Sequence, residues 1–183
     1  APSISPFRLA FPLLAEAPSY DRQFVRVDPN LTAPLYNQEV VVVQRTTAHK
    51  SGRRVVGALL TDDTLSLKEG FYIENHVNVV QAVSPVSKRE SNYMLWGVSG
   101  WLNSRLLNFV FDMLNGSAHI STYELGLLPF PEELIMEIGP LICNVDWSDS
   151  PYFDTRYEKL ERITLDFFGL TKAQRERLKL KIP

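Results

Sequence analysis

A run of large apolar side chains between Tyr93 and Asn115 constrains this chain more than any other feature. Leu95, Val98, Trp101, Leu102, Leu106, Phe109, Val110 and Met113 recur at three- and four-residue steps, the spacing of one buried helical face. Met94, Trp96, Leu107 and Phe111 occupy part of the remaining circumference, so the helix is expected to be covered on more than one side. Gly97 and Gly100 sit three apart and would let another backbone come close. Asn115 and Gly116 supply the stop, and Ser91 or Asn92 suits the N-cap. Such a helix specifies packing and says nothing of function.

The segments around it set the fold class. Residues 1–38 carry prolines at 2, 6, 12, 18, 29 and 34, which limits regular structure to short pieces. Arg8–Leu14 and Gln23–Val27 are candidate strands in an irregular lead-in packed on the sheet. Glu39–Arg45 is a β-branched run, expected to be a strand buried on both faces. Arg54–Thr61, Phe71–Ile73 and Val77–Val83 are expected to be further strands. Downstream, Pro131 opens a helix with acids in its first turn, and Gly139-Pro140 ends or kinks it. Thr155–Phe168 is amphipathic, with Tyr157, Leu160, Ile163, Thr164 and Phe167 as its stripe and Gly169 as its stop. Thr171 and Gln174 form a capping box for a last helix. Strands followed by helices give an α+β fold: a small mixed, mainly antiparallel sheet from about residues 23 to 83, a long central helix, and C-terminal helices. The length of 183 residues suits one domain, divided into a lead-in (1–38), a core (39–131) and a helical part (132–183).

A formal charge of −2 gives no overall attraction to a polyanion, so any anion-binding surface must come from clustering. Arg45, Lys50, Arg53 and Arg54 fall within ten residues that contain no acid. Gln44, Thr46, Thr47 and His49 add hydrogen-bonding groups around Ser51-Gly52. The plain reading is a solvated turn between two strands. The functional reading is a loop seated on phosphates, with one or two arginine forks reaching base edges. Lys88 and Arg89 at the start of the long helix offer a second anion site, or a solvent-exposed loop. His76 and Asn78 share one strand face, as a structural hydrogen-bonding pair or as a contact surface. The last helix carries Lys172, Arg175, Arg177, Lys179 and Lys181, as a solvated tail or as an intersubunit or backbone contact.

Other chemistry finds no support in the pattern. The single cysteine, Cys143, excludes an intrachain disulfide. The three histidines are too scattered for a metal site, and Asp62-Asp63 reads as a turn. No apolar run approaches the ~20 residues of a membrane span, and a cytoplasmic location is expected. Glycines are dispersed without G-x-G spacing, and neither a phosphate-cradling loop nor a serine-nucleophile elbow is present.

The ordered set of segments resembles a known family. V-V-V-Q-R-T-T (Val41–Thr47), R-V-V-G-A-L-L-T-D-D (Arg54–Asp63) and G-F-Y-I-E-N-H-V-N-V-V (Gly70–Val80) precede a helix with L-N-S at Leu102–Ser104. A polar turn and L-P-F-P at Leu128–Pro131 follow. This succession is similar to the specificity, or target-recognition, domain of TaqI-like adenine-specific DNA methylases of restriction–modification systems. It covers about Glu39 to Pro131. The resemblance implies a domain that binds double-stranded DNA and does not transfer methyl groups by itself. It also implies that the chain is part of a longer polypeptide, whose catalytic domain would bind S-adenosylmethionine. The DNA-contacting residues it implies are Gln44, Arg45, Thr46, Thr47, His49, Lys50, Arg53, Arg54, Lys88 and Arg89, with Ser117 and His119 in the loop after the long helix. Ser150-Pro151-Tyr152-Phe153 lacks the second proline of the family's base-gripping motif. A module that docks a methylase core to a partner subunit, or a small-molecule enzyme with a dispersed site, remains compatible with the same residues.

Overall fold

A computed structural model describes residues 3–5, 7–10, 32–46, 53–61, 70–73, 76–82, 87–115, 117, 119–143, 145 and 155–179. The expected strand at Gln23–Val27, the Asp62-Asp63 turn and the Ser150–Phe153 segment lie outside them. The architecture is α+β. Strands β1 (Ser3–Ser5) and β2 (Arg8–Ala10) pair with each other, as do β3 (Leu35–Tyr36) and β6 (Phe71–Tyr72). The main sheet has the order β5-β4-β7, from β4 (Val40–Gln44), β5 (Gly57–Leu60) and β7 (Val77–Val80). Every described pairing is antiparallel.

The valine run makes β4 central because both of its faces are buried. Val41 and Val43 point into the main core with Leu59 of β5 and the helices. Val40 and Val42 point the other way and, with Ala58 and Leu60, form a small second cluster beneath Tyr36, Phe71 and Ile73. Alternation along a strand accounts for the division.

The long helix is two helices. Helix α1 (Lys88–Leu102) starts earlier than Ser91 or Asn92 would have it. Ser87 caps it, accepting from the Glu90 backbone N–H while the Glu90 carboxylate takes the Ser87 N–H. The chain breaks at Asn103-Ser104, and α2 (Arg105–Leu114) follows with Ser104 as its cap. Asn115 ends it, as expected. Helices α3 (Thr122–Gly126), α4 (Glu132–Ile142), α5 (Thr155–Phe167) and α6 (Lys172–Lys179) complete the order. Pro140 lies inside α4, which continues to Ile142.

Helices α1 and α4 cross at their glycines. A Cβ on Gly97 would overlap the Ile135 carbonyl, and one on Gly139 the Tyr93 carbonyl, so backbone meets backbone there. Of the expected α5 stripe, Tyr157, Leu160 and Thr164 are buried, whereas Phe167 lies partly exposed. Gly169, at φ 61°, ends α5 in the left-handed conformation. Thr171 and Gln174 form the expected capping pair for α6. Among the described residues no helix is long and apolar enough to cross a membrane.

A candidate nucleic-acid interface

The basic loop has two ends, and the structure treats them differently. At the upstream end the β4 strand runs out at Gln44, and the next two residues are carried by a second edge. Arg45 N–H donates to the His76 carbonyl (3.1 Å), and Ile120 N–H donates to the Arg45 carbonyl (2.8 Å). Thr46 and His119 then form an isolated antiparallel bridge, and Thr46 Oγ1 lies 3.1 Å from His119 Nδ1. Arg45, Thr46, His76, His119 and Ser121 together line a cleft of about 240 Å³.

The turn that presents His119 is itself fixed by an asparagine. Asn115 accepts from Ser117 N–H (2.7 Å) and donates to the His119 carbonyl (3.0 Å). Ser117 Oγ accepts from His119 N–H (3.1 Å). Ser121 caps α3 and gives its hydroxyl and N–H to Glu124 (2.7 and 2.8 Å). Those two bonds, the backbone one first, hold the Glu124 carboxyl below the usual range, and Glu124 is the acid beside this cleft wall. Asn78, two residues beyond His76 in β7, is 5% exposed. It donates to the Ile120 carbonyl (2.9 Å) and accepts from Thr122 Oγ1 (3.0 Å). The expected pair on one strand face is corrected: His76 precedes β7, is exposed and lies in the cleft wall, whereas Asn78 is a buried structural residue of β7. An arginine, two histidines, a threonine and a serine thus meet at one cleft whose accessible wall is mainly apolar, and these residue types can donate to an anion or to base edges.

At the downstream end the arginines turn inward. Arg53 and Arg54 are 4% and 6% exposed, so their expected place on a protruding cationic loop is corrected. Arg53 donates one guanidinium nitrogen to the Asn103 carbonyl and another to the Tyr157 hydroxyl at 2.5 Å. Its guanidinium lies 5.2 Å from the centre of the Tyr157 ring. Arg54 faces Asp112 at 3.6 Å. The cause is the helix break: the carbonyl that Asn103 would give to a continuous helix is left for the guanidinium. Glu161 completes this buried cluster, accepting from Arg105 N–H (2.8 Å). Burial pushes its carboxyl above the ordinary carboxylate range, with the Tyr157 hydroxyl, Arg105 and Arg53 drawing it partway back.

The remaining expected residues fall elsewhere. Gln44 ends β4 half-buried. Thr47, His49 and Lys50 lie outside the described residues, following directly on Thr46. Lys88 and Arg89 are exposed on the first turn of α1, outside the cleft lining. Arg89 lies over the Tyr93 ring at 5.3 Å and donates to its hydroxyl, and two N–H groups of that helix end, those of Ser87 and Glu90, are served by the capping box. Among the described residues no group of three His, Cys, Asp or Glu side chains could hold a metal ion. Sequence reasoning missed Ser121, and it missed the buried polar set of Asn103, Asn108, Tyr157 and Glu161. The available signal was three asparagines, at 103, 108 and 115, inside an otherwise apolar helical run. Asparagine competes with the helix for backbone hydrogen bonds and marks caps and breaks.

Comparison with known proteins finds a likeness to the type II methyltransferase M.BsuBI of Bacillus subtilis, 27% identical over 127 residues. The matched stretch is 68% of this chain and 24% of that protein, so the chain spans about a quarter of its relative's length. No family model matches, and no solved structure matches. The chain is thus similar in sequence to part of a type II methyltransferase.

Proposed function

We propose that this chain is the DNA target-recognition part of an adenine-specific methyltransferase of a restriction–modification system. It is non-catalytic by itself. In this reading it belongs to a longer polypeptide whose catalytic domain binds S-adenosylmethionine and methylates a base taken out of the duplex stack. The observation that carries the reading is the cleft where Arg45, Thr46, His76 and His119 converge. His49 and Lys50 follow Thr46 closely in the sequence. Arg45 and Lys50 supply charge toward phosphates, and Thr46, His49 and His119 supply hydrogen bonds toward base edges. Likeness to a type II methyltransferase supports the same direction.

An electrophoretic titration with duplex DNA tests it. Arg45→Ala combined with His119→Ala should weaken binding at least ~tenfold and reduce the slope of log K against log salt by about one. Affinity and slope equal to those of the parent chain would sink the proposal. A second reading has its own observation. Tyr123, Leu127, Met113 and Leu114 are 75%, 63%, 71% and 71% exposed, a count of large apolar side chains that suits a module docking a methylase core to a partner. Mutating Tyr123 and Leu127 to Ser should leave duplex binding intact under the first reading and abolish association with the catalytic domain under the second.

A further inference from the structure

Helix α5 buries one stripe of side chains, and that stripe is left uncovered at its end. Tyr157, Leu160 and Thr164 are 1%, 0% and 0% exposed, whereas Phe167, next at the same spacing, is 40% exposed. Phe168 is also 40% exposed and meets Phe167 edge-to-face, with ring centres 5.1 Å apart. Phe168 stacks in turn on Trp101, with centres 5.5 Å apart and planes 25° apart. Trp101 is 2% exposed and donates its indole N–H to the Pro129 carbonyl at 2.7 Å. That bond brings up Phe130, which is 37% exposed. Three part-exposed rings from two distant stretches of the chain thus gather around one buried indole. Apolar residues exposed singly are ordinary, but gathered aromatic rings mark an interface.

Charge is segregated about this patch. Residues 106–155 include eight acids and no lysine or arginine, whereas residues 156–183 include eight cations against four acids. Acids follow the patch on its α4 side, where Glu132 and Glu133, directly after Phe130-Pro131, are exposed in the first turn. Cations follow it on its α6 side. Lys172 and Arg177 are exposed there, while Arg175 is engaged by Asp166 at 2.7 Å and by the Leu170 carbonyl. We propose that the patch is the interface of a homodimer. The three phenylalanines of one copy pack on those of a second, and the α4 acids of each copy meet the α6 cations of the other. A half-turn carries the rings onto themselves and an acidic border onto a basic one, so the contact closes at two copies. A polyanion such as duplex DNA is repelled by the acidic border, and a partner of one sign opposes one border or the other. A second copy carries both signs in matching order. Rings at the centre and charges at the rim are the usual anatomy of a specific interface. The few rings available make it a weak one, with a dissociation constant on the order of micromolar. The proposal draws neither on the cleft nor on the DNA reading.

Sedimentation equilibrium on the 183-residue chain tests it. At low salt the mass should rise from 20.8 kDa toward twice that value over micromolar concentrations. Raising the salt to about 0.5 M should weaken the dimer several-fold by screening its rim. Two charge-reversed chains probe the pairing itself. Glu132→Lys with Glu133→Lys makes both borders basic, and Lys172→Glu with Arg177→Glu makes both acidic. Each alone should dimerise at least ~tenfold more weakly than the parent. An equimolar mixture should recover the parent's affinity, because every rim contact then joins opposite signs. Phe167→Ser, with the circular dichroism of the parent, should also weaken the dimer at least ~tenfold, and it serves where a reversed chain does not fold. A parent chain that stays at 20.8 kDa throughout overturns the proposal and leaves the patch to solvent or to another protein. So does a mixture of folded reversed chains that remains monomeric, or a dimer that Phe167→Ser leaves as tight as before. Dimerisation without duplex binding overturns the DNA reading alone, and duplex binding by a strict monomer overturns this proposal alone.

Discussion

The two ends of one basic loop carry the same kind of residue into opposite surroundings. Arg45 is half-buried and lines a cleft with two histidines and a threonine. At Arg53 the guanidinium is locked among a carbonyl, a tyrosine and a carboxylate in the core. The difference arises from what each end meets. The upstream end meets an edge that pairs with it through backbone groups, at His76 and Ile120. The downstream end meets a helix break with spare carbonyls, and there the fork-shaped guanidinium is the better partner. A run of cations in sequence is therefore not a patch of charge in space.

The comparison can be broken most sharply by deleting each arginine. Arg53→Ala leaves the Asn103 carbonyl, Tyr157 and Glu161 buried without their cation, and is expected to cost about 3–5 kcal/mol in urea unfolding. Arg45→Ala, at a half-buried position, should cost less, about 1 kcal/mol, as for an average substitution. Equal losses at the two sites would erase the distinction. Next in size, Ser104→Ala removes the cap whose Oγ accepts from Leu107 N–H at 3.2 Å. It should cost about 1 kcal/mol by thermal unfolding.

A pH series sharpens the same contrast. The folded chain holds the Glu161 proton to higher pH than the unfolded chain does, because burial raises its carboxyl from the ordinary value of 4.5. Stability at this site is therefore complete below that value and is lost as pH rises from it through the raised one. Glu161→Gln should flatten the urea midpoint across that window, and an unchanged slope would show that Glu161 does not titrate there. The smallest effect is expected at His119→Ala, whose bond to Thr46 is exposed. It should shift stability by no more than about 0.5 kcal/mol while weakening duplex binding.

Much of this arrangement was legible in the chain. The valine run specified a strand buried on both faces and Gly97 a close backbone approach, whereas Gly139, expected to end or kink its helix, is the other half of that crossing. Caps at Asn115 and Thr171 fell where their residue types put them. Arg45 and Thr46, named from the basic cluster, and His119, named from the family resemblance, do meet. What could not be read was the direction in which Arg53 and Arg54 point. That depends on Asn103, about fifty residues away, stopping a helix that apolar periodicity would continue. Periodicity reports which face is buried. It is silent on a break where two buried asparagines replace helix bonds with bonds to a strand end, because the apolar residues keep their spacing across it.

The most direct test is a nuclear magnetic resonance titration of the ¹⁵N-labelled chain with duplex DNA. Shifts are expected at the backbone amides of Arg45, Thr46, His76, His119 and Ser121 and at the His119 ring, with the Arg53 guanidinium signal unmoved. Shifts centred on Arg53 and Tyr157, with the cleft signals unchanged, would contradict the account.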